Sequence, residues 1–134
     1  MANFILDSYA LLAFFRDEEG ADAVEKLLHE AAENKHELYI PVVNAGEVYY
    51  ISYRKDGAVK AEKVWAAMLQ FPLHFVEADL ANSLEAAKIK ARFKLSFADA
   101  FAAALAIKKK ATLITGDHEL ESLAGEVNFK VKYL

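Results

Sequence analysis

Apolar residues recur along this chain in two rhythms. Phe4 to Leu6, Leu38 to Ile40, Leu73 to Val76 and Thr112 to Thr115 are short runs with the length and branching of buried strands, and Asn128 to Val131 offers a fifth. Between them the spacing lengthens to three and four. Leu11, Leu12, Phe14 and Phe15 begin a first helix, which Arg16 to Gly20 breaks. From Ala21 to Ala32 the positions Ala21, Val24, Leu27, Leu28 and Ala31 form one stripe, the period of an amphipathic helix. After Ile40, Pro41 stops the ladder, and Asn44 is expected to cap a helix through about Arg54. A turn at Lys55-Asp56-Gly57 precedes a helix from Val59 to Leu69, and Asp79 caps another to about Phe93. Ser96 opens the helix Phe97 to Lys109, whose Ala98, Ala102, Ala103 and Ala106 let its backbone approach a neighbour closely. A short helix follows from His118 to Leu123. Strands alternating with helices predict an α/β fold of three layers, a mostly parallel central sheet of four to five strands with helices on both faces.

At 134 residues the chain fits one domain with a real core, so residues 1–134 are expected to fold as a single unit. Hydrophobic content of 55% with 27% charged residues excludes a disordered chain. No cysteine is present, which removes disulfides and thiolate zinc sites and leaves oxygen ligands or histidine. His29, His36 and His74 fall on different elements without ligand spacing and read as surface or core residues. The glycines fit neither G-x-G-x-x-G nor the P-loop, so nucleotide triphosphate hydrolysis is not expected. The N-terminus has no basic leader and no run reaches the length of a membrane span, which makes a cytoplasmic protein the default.

The net charge of −4 gives no bulk attraction to nucleic acid, but basic residues gather in the C-terminal half. Lys88, Lys90, Arg92 and Lys94 form one cluster and Lys108-Lys109-Lys110 another. Each suits two roles, a solvated helix end that complements the macrodipole or a contact to phosphates. The first cluster is the candidate phosphate-contact face.

The informative residues are acidic. Asp7 closes the first strand run, Glu47 comes shortly after the second and Asp117 two residues after Thr115, while Asp99 stands in the first turn of the alanine-rich helix. Parallel strands would bring the first three to one edge of the sheet, where open α/β folds hold ligands. Each acid also has a local reading. Asn44-x-x-Glu47 and Ser96-x-x-Asp99 have the spacing of a capping motif, and Asp7 and Asp117 are themselves candidate N-caps. Caps need no common location, whereas carboxylates that converge need a cation, and a hard divalent ion such as Mg²⁺ or Mn²⁺ suits them.

Phe4-Ile5-Leu6-Asp7-Ser8, Asn44-x-x-Glu47-Val48, Ser96-x-x-Asp99 with the alanines after it, and Thr115-Gly116-Asp117 together resemble the PIN-domain nucleases, most closely the VapC type of toxin-antitoxin ribonuclease. The likeness spans essentially the whole chain, a single PIN-like domain. It implies a metal-dependent endoribonuclease acting on single-stranded RNA and leaving a 5′-phosphate and a 3′-hydroxyl. It also implies a Mg²⁺ or Mn²⁺ site made by Asp7, Glu47, Asp99 and Asp117, with Ser8 and Thr115 as supporting hydroxyls and Asn44 and Ser96 as the polar residues that open their blocks. A homodimer and a small antitoxin are the implied partners, the dimer covering apolar surface at Leu11, Phe15, Tyr49 and Tyr53. Two residues depart from the pattern: Tyr9 stands where such proteins often carry a small polar residue, and His118 where they often carry an acid, so His118 reads as solvent-facing. The competing readings are a catalytically silent PIN fold used as a binding module, a housekeeping RNA-processing nuclease, and a phosphoacceptor receiver. The receiver needs an aspartate at the end of the Leu38 to Val43 run, which has none.

Overall fold

A computed structural model of the chain describes residues 2–127 and 129–134. Its strands are β1 (Ala2–Leu6), β2 (His36–Pro41), β3 (Leu73–Val76), β4 (Thr112–Thr115) and β5 (Lys130–Tyr133). Its helices are α1 (Ser8–Phe15), α2 (Ala21–Ala32), α3 (Val42–Asp56), α4 (Ala58–Gln70), α5 (Leu80–Arg92), α6 (Phe97–Lys109) and α7 (Glu121–Glu126), with a 3₁₀ turn at His118–Leu120. The strands form one sheet in the order β3-β2-β1-β4-β5, and every pairing among the described residues is parallel.

Alternation along each strand builds the three layers. Leu6, Leu38, Ile40 and Ile114 pack with Leu11 of α1, Val24 and Leu28 of α2, and Val64 and Met68 of α4. Ile5 and Leu113, one residue out of step, face Ala100, Ala103 and Leu105 of α6 with Leu120 and Leu123 beyond. Ala100, Ala102, Ala103 and Ala106 have no exposed surface, so α6 is the central helix of its layer, as its alanines predict.

The chain steps from β1 to β2 and β3 on one side, then returns to β4 and β5 on the other. The strand order therefore reverses between β1 and β4, and crevices at such reversals are where doubly wound sheets bind ligands.

Five expectations need correction. The helix after β2 begins at Val42 with Pro41 in the cap position and no side-chain cap, so Asn44 is a buried residue of its first turn and not its cap. That helix continues through Asp56, leaving Gly57 (φ 91°) to make the turn, a left-handed conformation that favours glycine. The single helix expected from His118 to Leu123 is a 3₁₀ turn followed by α7. The last strand begins at Lys130; Asn128, where it was expected to begin, lies outside the described residues. Leu11, expected on an interface, is fully covered, and Phe15 packs on Phe14 and Phe71.

Candidate active site

Asp7 follows β1 and takes the N-cap position of α1 with extended backbone. Its Oδ1 accepts the Ala10 N–H at 2.9 Å. Its Oδ2 is buried and has no hydrogen-bond partner among the described residues. Only 1% of the residue is exposed, and an ionised oxygen left bare in such surroundings is costly. Burial accordingly pushes the Asp7 carboxyl up to about 7; the charges of Asp117 and Glu47 add to the rise, while the Thr115 hydroxyl and the Ala10 N–H oppose it.

Asp117 leaves the end of β4, the strand next to β1. Its N–H donates to Thr115 Oγ1 at 2.9 Å, and its Oδ1 accepts the Glu119 N–H at 2.9 Å, which fixes the turn with Thr115 buried beneath. Asp99 comes from the first turn of α6, whose cap is Ser96: the Ser96 hydroxyl accepts the Asp99 N–H at 3.1 Å. Burial raises the Asp99 carboxyl to about 8, with the neighbouring Asp117 and then Asp7 adding to it. Glu47 reaches in from α3, where the Tyr50 hydroxyl donates to its Oε2 at 3.4 Å.

All four acids line one cavity of about 220 Å³, together with Ser8, Tyr9, Leu12, Ile51, Ser96 and Glu119. Elements far apart in sequence thus deliver carboxylates to the β1/β4 reversal. The local reading also holds, because Asp7 and Asp117 are N-caps and Ser96 caps the helix of Asp99. Only Asn44-x-x-Glu47 fails as a capping motif, since α3 starts two residues before Asn44. Asn44 instead donates from Nδ2 to Ser8 Oγ at 3.1 Å, and Ser8 Oγ donates to the Asn44 carbonyl at 3.2 Å. This buried pair ties the start of α1, and so Asp7, to the helix that carries Glu47.

Glu119 is the residue that sequence reasoning missed. One carboxylate oxygen each from Asp99, Asp117 and Glu119 lies within 4.8 Å of the others. The signal was the turn: an aspartate capping the residue two positions on turns that residue back toward the strand end. His118 is exposed as expected, with Nδ1 against Glu121 and its ring stacked on Tyr133. The donor set is oxygen only, and its deepest member, Asp7 Oδ2, is left without a partner. That chemistry fits a hard divalent cation.

None of the four basic candidates lines the cavity. Lys88 pairs with Glu85, Lys90 donates to the Leu95 carbonyl at 2.8 Å, and Arg92 lies 3.8 Å from Glu126 and over the Phe93 ring. Lys94 is exposed two residues before Ser96.

A family model described as PIN domain matches residues 4–126. No protein of curated function matches the chain in sequence. Among solved structures, VapBC2 from Rickettsia felis, bound to a DNA fragment from its promoter, aligns with TM-score 0.76 at 14% identity over 98% of each chain. The DNA-bound VapBC of Salmonella typhimurium aligns with TM-score 0.75 at 15% identity, covering 99% of this chain and 98% of that one. A VapC toxin of Mycobacterium tuberculosis that cleaves the sarcin-ricin loop aligns with TM-score 0.71 at 16% identity, over 91% of this chain and 95% of its own. At these identities the likeness is one of fold.

Proposed function

The chain belongs to the PIN-domain family, a family of nucleases, and from that premise we propose that it is a divalent-metal-dependent endoribonuclease of the VapC type, the toxin of a toxin-antitoxin pair. The observation that carries the reading is the convergence of Asp7, Glu47, Asp99 and Asp117 on one cavity with Asp7 Oδ2 buried and unpartnered. The toxin assignment is supported by whole-chain likeness to structures of VapBC complexes. No helix among the described residues is long and apolar enough to cross a membrane.

Asp7, Asp99 and Asp117 are the residues to hold Mg²⁺ or Mn²⁺, with Glu119 at the mouth. A divalent ion held there would reverse the sign of the pocket for an anionic phosphodiester and would supply Lewis acidity to its hydrolysis. The chain's own part is to arrange charge and protons. Without a cation the four carboxylates repel, and Asp7 and Asp99 sit high enough to retain protons near neutrality. Those protons must leave before the carboxylates act as ligands. Glu47, held from α3 by the Ser8–Asn44 pair, orients the attacking water and takes its proton. Water oxygen bonds to phosphorus, the bond to the 3′-oxygen breaks and that oxygen takes a proton from solvent water, leaving a 5′-phosphate and a 3′-hydroxyl. Lys94, next to the site in sequence, is a candidate backbone contact, while Lys88, Lys90 and Arg92 lie on α5, outside the cavity.

Purified protein should cleave single-stranded RNA with Mg²⁺ or Mn²⁺ and stop in excess chelator; cleavage that ignores chelator, in protein free of contaminating nuclease, sinks the reading. Growth arrest on expression, relieved by a small protein encoded beside it, separates a toxin from a housekeeping nuclease.

A further inference from the structure

Tyr9 is left unexplained by metal binding. It is the second residue of α1, two positions after Asp7, and its side chain lines the acidic cavity while the residue remains 49% exposed. Its ring lies against Gly116, in the turn between Thr115 and Asp117; a methyl group at position 116 would overlap Cδ1, Cε1 and Cζ of that ring. The absence of a side chain at 116 is therefore what seats an aromatic plate on the turn that presents Asp117. Two other half-exposed aromatics stand near site residues, but each is engaged. Tyr50 carries Arg54 at 5.4 Å over its ring and donates its hydroxyl to Glu47, and Phe97 packs on Phe101 at 4.9 Å. Among the described residues Tyr9 pairs with no other ring.

The size of the cavity says what such a plate is for. Pockets that enclose a whole small ligand measure roughly 300–1,000 Å³. This one, at about 220 Å³, has room for a phosphate and part of its sugar. A nucleotide whose phosphate enters among the acids must leave its base at the rim, where Tyr9 stands. Aromatic faces accept any base, and stacking needs no charge, which suits a cavity that also carries five carboxylates, Asp7, Glu47, Asp99, Asp117 and Glu119.

We propose that Tyr9 binds the RNA by stacking the base next to the scissile phosphate, and so sets where single-stranded RNA sits in the site. This inference rests on the ribonuclease reading above. It assigns Tyr9 to substrate positioning, with no part in the chemistry.

The test compares wild type, Tyr9→Phe, Tyr9→Ala and Gly116→Ala on a short single-stranded RNA with one cleavage site, and on the same RNA with an abasic nucleotide on either side of that site. Tyr9→Ala should raise KM about tenfold or more, the scale of losing one stacked base, with kcat little changed. Tyr9→Phe should behave as wild type. Gly116→Ala keeps the tyrosine but displaces its ring, and should raise KM in the same direction. On the abasic RNA that lacks the stacked base, wild type and Tyr9→Ala should converge. Wild type that cleaves no RNA overturns the ribonuclease reading and this inference with it. Wild type that cleaves while Tyr9→Ala matches it on intact RNA, or loses equally on intact and abasic RNA, overturns this inference alone.

Discussion

Asp7 uses its two oxygens differently: Oδ1 caps α1 and Oδ2 is buried without a partner. An asparagine keeps the cap, since it is among the best N-cap residues, but removes the charge. Asp7→Asn or Asp99→Asn should therefore cut RNA cleavage by about a thousandfold or more, with the fold intact by circular dichroism. A loss of tenfold or less would return both acids to a capping role. The same residues fix a pH dependence. The Asp7 and Asp99 carboxyls lie at about 7 and about 8 against an ordinary value of 3.8, so folding raises both. Groups raised on folding contribute stability that is fully present below the unfolded value and lost as pH rises through the folded one. In chelator, thermal stability should accordingly fall between about pH 4 and pH 8, and the fall should shrink in the Asp7→Asn, Asp99→Asn double variant. Millimolar Mn²⁺ should raise the melting temperature of wild type, increasingly so toward pH 8 because the ion competes with protons. A double variant stabilised as much as wild type would place the ion elsewhere. Glu119 was not legible as a member of this set, because nothing in a polar stretch after β4 distinguishes it from Glu121 until the Asp117 turn directs it.

At the scale of elements, the buried pair of Ser8 and Asn44 and the exposed cap Ser96 make a contrast that stability can measure. Removing an N-cap typically costs about 1 kcal/mol, and Ser96→Ala should do so. Asn44→Ala strips a hydrogen bond from a fully buried junction and should cost about 1–3 kcal/mol by urea unfolding, with a loss of activity through the displaced Glu47 helix. An Asn44→Ala variant within a few tenths of wild type would remove the pair from the account of how Asp7 and Glu47 are aligned. The same elements show what was readable in advance. α2, α6, β3 and β4 coincide with their expected bounds: α2 has a clean apolar period, Ser96 caps α6 through its side chain, and β3 and β4 are short runs of the length of a buried strand. The start of α3 is not legible because it lacks such a cap: Pro41 ends the strand, and Val42 and Val43 have the branching of a strand although they form the first helical turn. Strand order was not readable, since periodicity says which face a strand buries and not which neighbour it pairs with.

For the whole molecule, exposed apolar surface lies both where the sequence suggested, at Tyr53 of α3, and on α5, where it did not. Leu11 is in the core, whereas α5 buries only Ala86 and leaves Leu80 at 88% and Leu84 at 56% exposure. Beside them runs a groove of about 680 Å³ between α5 and α6, lined by Leu84, Ile89, Phe93, Ile107 and Val127 with Lys88, Arg92 and Lys108 on its rim. Apolar surface grouped in this way marks an interface. The expected homodimer should therefore bury α5, and light scattering at micromolar concentration should return twice the mass of the chain. Leu84→Glu places a charge in that face without touching the core or the acidic cavity. It should yield a monomer that still melts as cooperatively as wild type. A dimer that survives Leu84→Glu moves the interface to the side of Tyr50 and Tyr53, which are also about half exposed. A wild type that stays monomeric ends the dimer proposal and leaves the α5 groove to a heterologous partner, for which co-purification with the adjacent small protein, before and after Leu84→Glu, is the deciding measurement.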